Sequence, residues 1–128
     1  MQTNSETKLF QPKNEKKLRI YAWSTLEIKK FEGCLKVGQT TRDVNKRIKE
    51  SQGVAQVEYT LEINEEAYTE KGTLFTDTDV RRRLVEKGFE NVSGEWMLCA
   101  KEDVLKVIKE LKSGQQYFGN HVEEFEMR

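Results

Sequence analysis

Three side chains in the first half of the chain could act together on a bound anion. Tyr21 lies in the segment RIYAWS, Lys36 in CLKVG and Arg47 in RDVNKRI. A phenol can exchange a proton, and an ammonium and a guanidinium carry the positive charge that an anion needs. Whether the three meet depends on the elements that carry them.

The segments around Tyr21 and Lys36 have the alternating pattern of strands. We expect the residues at the alternate positions to form the core, and they are Leu18, Ile20, Ala22, Leu35 and Val37. If the two strands pair as a hairpin, Tyr21 and Lys36 emerge side by side on the opposite face. Arg47 follows on a helix that Asp43 can cap, and its long side chain can extend over the same face from beside Ile48. Composition alone favours simpler roles for all three, as a half-buried strand aromatic and two solvated cations.

The later segments predict the rest of one small domain. VEYTLEIN alternates as a third strand, with Val57, Tyr59, Leu61 and Ile63 opposite an acidic face. Thr76 and Asp79 have the spacing of a capping box at the start of a helix over DVRRRLVEK, with Val80, Leu84 and Val85 inward. GEWMLC is a short apolar segment, strand or extended, and KEDVLKVIKEL is an amphipathic helix. The predicted fold is α+β, a small three-stranded antiparallel sheet flanked by helices.

The totals limit the classes of partner. The 128 residues suit one domain, and 22 basic side chains balance 22 acidic ones, so any nucleic-acid site must be a local patch. Positions 36–49 contain five basic residues and only one acidic residue. The basic residues are Lys36, Arg42, Lys46, Arg47 and Lys49. This patch could neutralise phosphates or be an ordinary solvated face. No apolar run is long enough for a membrane span, we expect a cytoplasmic protein, and Cys34 and Cys99 are expected to be buried thiols.

Four segments together resemble the GIY-YIG nuclease superfamily, in the branch found in phage proteins and beside helicases, where K-V-G replaces Y-I-G. RIYAWS and LKVGQT resemble its paired strands, RDVNKRI its arginine helix, and GEWM the segment with its metal-binding glutamate. The resemblance covers about residues 17–112. It departs from the family where Lys36 takes the place of the second tyrosine and where a family histidine is absent, since His121 lies outside the match. A helical histidine is also expected where this chain has Thr78 and Arg81.

The resemblance implies a DNA endonuclease that uses one Mg²⁺ or Mn²⁺ ion. Tyr21 would accept a proton from water, with Lys36 favouring the phenolate. Arg47 would grip the phosphate, and Glu95 would hold the hydrated cation. The DNA-binding set would be the five basic residues at positions 36, 42, 46, 47 and 49.

The chain ends suggest a larger protein. Residues 1–16 are expected to be a disordered tail, 17–112 the nuclease domain, and 113–128 a linker or tail. The final FEMR resembles the lead-in of some superfamily 2 helicases, which implies a helicase or restriction-type neighbour domain. Two alternatives stay open, namely a degenerate domain that binds DNA without cutting it, and a protein-interaction adaptor that uses the acidic strand.

Overall fold

The structure, a computed structural model, describes residues 17–114. In chain order its elements are β1 (Arg19–Ser24), a short 3-10 turn (Lys29–Phe31), β2 (Cys34–Thr40), α1 (Val44–Gln52), β3 (Thr60–Glu66), α2 (Asp77–Glu86), β4 (Glu90–Ser93), β5 (Trp96–Leu98) and α3 (Lys101–Ser113). The fold is α+β, as the sequence predicts. The predicted terminal tail and linker lie outside the described residues, apart from Ser113, which ends α3, and Gly114, which caps it.

The sheet is antiparallel and has five strands in the order β3-β1-β2-β5-β4, so the prediction of three strands was too small. β1 and β2 form the predicted hairpin, with Tyr21 opposite Gly38. The missed strand β4 has four exposed residues and therefore carries no apolar alternation. β4 is a strand because it pairs with β5 across the turn at Gly94, where φ is +54°. The residue pattern of one strand cannot reveal such a pairing.

Apolar side chains fill both faces of this sheet. On the first face, Ile20, Ala22 and Val37 are completely buried under α2 and α3. On the second face, Tyr21 and Trp23 pack with Val44 and Ile48 of α1. The alternation predicted for β1 and β2 is therefore confirmed, and the face that carries Tyr21 is itself a small core rather than a wet surface.

β3 departs from its predicted pattern because a bulge interrupts its pairing with β1. Leu61 lies opposite Trp23 and Ile63 opposite Ala22, with a register shift between the two pairs. As a result Leu61 packs on the second face and Ile63 on the first, so the expected single apolar face was wrong. One of the acidic side chains in this strand, Glu65, forms an ion pair with Lys112 at 3.3 Å.

The helices begin where the sequence predicts. The Asp43 side chain accepts from the Lys46 N–H at 2.9 Å, and Thr76 forms a capping box with Asp79. The prediction for Val85 was wrong, because this side chain is half exposed. Within residues 17–114 no helix is long and apolar enough to cross a membrane. Cys34 is buried, Cys99 is half-buried, and both are free thiols.

Candidate active site

The Tyr21 ring lies flat against the backbone of β2 at Gly38. A Cβ built on Gly38 would lie 2.7 Å from Tyr21 Oη and 2.8 Å from Tyr21 Cζ, closer than real Cβ contacts. The φ angle of Gly38 is not among the positive ones, so the backbone itself would accept another residue. The glycine of the V-G pair is therefore needed to make room for the phenol, which is only 4% exposed.

The helix α1 brings Arg47 to this phenol. Val44 and Ile48 anchor the helix on the second face of the sheet. The Tyr59 hydroxyl donates to Asn45 Oδ1 at 2.6 Å and ties the helix to the segment before β3. Arg47, half-buried beside Ile48, lies close enough to the phenol oxygen of Tyr21 for its guanidinium to lower the pKa of the phenol. The structure therefore places Arg47 beside Tyr21, as the sequence predicts.

Glu95 reaches the same place from the start of β5. Its carbonyl oxygen accepts from the Val37 N–H at 2.9 Å, which fixes it beside β2 one residue before Gly38. Its carboxylate is half-buried and close enough to Tyr21 to shift the pKa of the phenol. Within residues 17–114, no lysine or arginine forms an ion pair with this carboxylate.

The pKa of Tyr21 is raised above its ordinary value. Burial is the largest cause, followed by the negative charge of Glu95. The charge of Arg47 acts in the opposite direction, while Asp77 adds a smaller upward shift. Tyr21 is therefore a neutral phenol at pH 7, and its three charged neighbours come from α1, α2 and the start of β5.

Lys36 lies on the expected face but does not reach the phenol. It pairs with Trp23 and Trp96 in the sheet, and its Nζ lies 5.7 Å from the centre of the Trp23 ring. The charge that lowers the pKa of Tyr21 belongs to Arg47 rather than to Lys36. The expectation that Lys36 favours the phenolate stays a prediction, and the structure places its cation over the neighbouring indole.

Two further residues at this place were not assigned to it from the sequence. Arg81 forms an ion pair with Asp77 at 3.0 Å and donates to the Val37 carbonyl at 2.8 Å. Both side chains are largely buried, with 19% and 12% exposed. The sequence analysis marked position 81 as one where a family histidine is absent, without pairing Arg81 with Asp77. The i, i+4 spacing of an acid and an arginine was the available signal, but it is common on solvated helices.

The basic patch is less uniform than its composition indicates. Arg42 forms an ion pair with Glu50 at 2.5 Å on the surface of α1. Lys46 and Lys49 are exposed on the same helix, and Arg47 points to Tyr21. The exposed lysines thus flank the helix that carries Arg47, whereas the charge of Arg42 is partly neutralised.

The aromatic side chains beside the site belong to the core. Trp96, which follows Glu95, is 7% exposed and stacks on Phe31 at 4.2 Å, with Trp23 against its edge at 5.1 Å. Little ring surface remains for stacking on a base. Trp96 therefore anchors the start of β5 next to Glu95.

The carboxylates offer few ligands for a metal ion. Residues 17–114 contain no group of three or more His, Cys, Asp and Glu side chains that could hold one. Asp77 is paired with Arg81, which leaves Glu95 as the carboxylate beside Tyr21 that has no cationic partner among these residues. A protein site with one carboxylate suits a hydrated Mg²⁺ ion that keeps several waters and takes further oxygens from a phosphate.

Comparisons with known proteins agree with this architecture at the level of a family. No curated protein and no solved structure gave a significant match. The T5orf172 domain, which is found in phage proteins and is associated with nuclease-type folds, matches residues 19–112. This match spans all five strands and reaches into α3. The chain belongs to the T5orf172 domain family.

Proposed function

We propose that this domain is a divalent-metal-dependent DNA endonuclease of the GIY-YIG type. The observation that carries the proposal is the meeting of Arg47 and Glu95 at the Tyr21 phenol, although the chain separates them widely. A proton-exchanging group, a phosphate-binding fork and a free carboxylate are the parts that phosphodiester hydrolysis requires. The T5orf172 family match supports a nuclease-like role in DNA processing.

In this proposal Arg47 binds the scissile phosphate and stabilises its developing negative charge. Tyr21 accepts a proton from the attacking water, directly or through solvent. Because its pKa is raised, Tyr21 must first lose its own proton, and the contact with Arg47 favours that loss. Lys36, kept over the Trp23 ring, adds positive charge to the same face without touching the phenol.

Glu95 would hold the Mg²⁺ or Mn²⁺ ion, which supplies a Lewis acid for the phosphate oxygens when it is bound. Removing the negative charge of Glu95 from the surroundings of Tyr21 also removes a cause of the raised pKa. A cation held by Glu95 would offset that negative charge and so would favour the deprotonated form of Tyr21.

DNA is the proposed partner, and it would approach across α1. The exposed Lys46 and Lys49 flank Arg47 there, while Arg42 contributes less because Glu50 pairs with it. The acidic side chains of β3 lie at the far edge of the sheet, beyond β1. A helicase or restriction-type neighbour domain is proposed only from the FEMR segment, which lies outside the described residues.

A second candidate is a domain that binds DNA without cutting it. The raised pKa of Tyr21 favours this candidate, because a neutral phenol is a poor base. It would use the same Arg47 and the lysines of α1, so binding alone cannot separate the two functions.

Nicking of a supercoiled plasmid separates them. Wild type is compared with Glu95→Gln and with Glu102→Gln, an exposed control on α3, in Mg²⁺ and in Mn²⁺. The nuclease proposal predicts nicking by wild type and by the control, and none by Glu95→Gln. Salt-sensitive DNA binding without nicking supports the non-cleaving domain. Absence of binding even at low salt supports the adaptor that uses the acidic strand.

A further inference from the structure

We infer that the Asp77–Arg81 ion pair positions Tyr21 by holding the backbone of β2 beneath its ring. This inference rests on the proposed nuclease function, because it assigns the pair to the same site. Neither residue touches the phenol oxygen through a hydrogen bond in the structure, so both act through the strand.

The need for such support comes from the position at which β5 begins, since its first residue, Trp96, lies opposite Lys36. β5 pairs with β2 from Cys34 to Lys36, and the last bond on that side runs from the Val37 N–H to the Glu95 carbonyl. Beyond this point β2 has no strand partner on the β5 side within the described sheet. Gly38, on which the Tyr21 ring rests, lies in this part of β2, which pairs with β1 on one side and has no strand on the other.

Two residues of α2 form hydrogen bonds to β2 in this part of the strand. Arg81 donates from Nη1 to the Val37 carbonyl at 2.8 Å, which belongs to the peptide that joins Val37 to Gly38. On the other side of the glycine, the Asp77 backbone N–H donates to Gln39 Oε1 at 2.8 Å. The α2 residues therefore hold the positions immediately before and after Gly38.

The ion pair orients the arginine for this bond. The same Nη1 that bonds the Val37 carbonyl lies 3.0 Å from Asp77 Oδ2, so the carboxylate fixes the direction of the guanidinium. With both groups largely buried, the pair has few other conformations. Loss of Arg81 would remove this donor from the Val37 carbonyl, and loss of Asp77 would leave the guanidinium without the carboxylate that orients it, so the peptide beneath Tyr21 would be held by β1 alone.

Attachment of α2 to the sheet does not require this pair. Val80 and Leu84 are completely buried in the first core and already anchor the helix. A buried ion pair contributes little net stability, because desolvation offsets its attraction. Its place beside Gly38 is better explained by positioning of the site than by stabilisation of the fold.

The test combines nuclear magnetic resonance of the free full-length protein with cleavage kinetics. The variants are Arg81→Gln, Arg81→Lys and Asp77→Asn, and the control is Arg82→Gln, whose side chain is 62% exposed on the same helix. The readouts are the Gly38 amide signal, the ring carbon signal of Tyr21 at pH 7, and kcat and KM for plasmid nicking.

Arg81→Gln should shift the Gly38 and Tyr21 signals and lower kcat about 10- to 100-fold, the effect expected of a misplaced catalytic group. KM for DNA should stay within about twofold, and Arg81→Lys should recover part of the loss because it keeps the charge and one donor. Asp77→Asn should shift the Gly38 signal in the same direction. If Arg81→Gln does not fold, the Gly38 signal of Asp77→Asn is the test of the inference. Arg82→Gln should match wild type.

The inference is overturned if the Gly38 signal of folded Arg81→Gln or Asp77→Asn coincides with that of wild type, or if cleavage is lost through KM alone. Failure of the proposed function has a different signature. If wild type does not nick DNA in either metal, the nuclease proposal fails, while the signals of Gly38 and Tyr21 still report on the positioning.

Discussion

Replacing Gly38 by alanine tests the contact on which the placement of Tyr21 depends. The added methyl group would lie 2.7 Å from the phenol oxygen, whereas ordinary contacts begin at 3.4 Å, so the ring must move by about 0.7 Å. The ring is 4% exposed and packed among core residues, which leaves it little room. We expect a loss of about 1 to 3 kcal/mol in the free energy of unfolding, as for overpacking.

The same shift should displace the phenol oxygen from Arg47 and Glu95 and lower cleavage about 10- to 100-fold. Urea unfolding and plasmid nicking measure the two effects. The matched control is Gly38→Ala in a Tyr21→Leu background, where the loss of stability should largely disappear because the ring is gone. An alanine variant as stable and active as wild type, or an equal loss in both backgrounds, would refute the reasoning.

Three further predictions follow from burial and charge. Tyr21→Phe should abolish nicking with little loss of stability. Above about pH 10, wild type should lose stability faster than this variant, because folding raises the pKa of the phenol and the tyrosine of the unfolded chain therefore ionises first. Urea unfolding of both proteins across that pH range measures the difference. Burial raises the pKa of Cys99 to about 12 and that of Cys34 above its ordinary value, so a colourimetric thiol reagent should react slowly at neutral pH and fully in denaturant. Glu110→Gln should lower the free energy of unfolding by about 3 to 5 kcal/mol, since this carboxylate is 11% exposed between two cationic side chains; an unchanged urea midpoint would contradict it.

The sequence predicts those helices and strands whose own residues carry a clear apolar pattern or capping signal. The alternation around Tyr21 identifies both faces of β1, and Asp43 and Thr76 mark the starts of α1 and α2. The bulge in β3 could not be predicted, because it depends on the register with β1. β4 could not be predicted either, because its exposed residues have no pattern of their own.

The site was predictable to a similar degree. The face shared by Tyr21 and Lys36 follows from strand alternation, and the approach of Arg47 follows from helical spacing. The side-chain conformation of Lys36 does not follow, because it is decided by the Trp23 ring across the strands. The Asp77–Arg81 pair was missed because its role depends on where β5 begins, at Trp96 opposite Lys36, which leaves the edge of β2 open beyond that point.

The most direct test of the central claim is a titration of the free protein with Mn²⁺, a paramagnetic ion that broadens the resonances of nearby nuclei. Substoichiometric Mn²⁺ should broaden the signals of Glu95, Tyr21 and Arg47 together, and Glu95→Gln should abolish this effect. Broadening confined to the acidic side chains of β3, or the same broadening in wild type and Glu95→Gln, would contradict it.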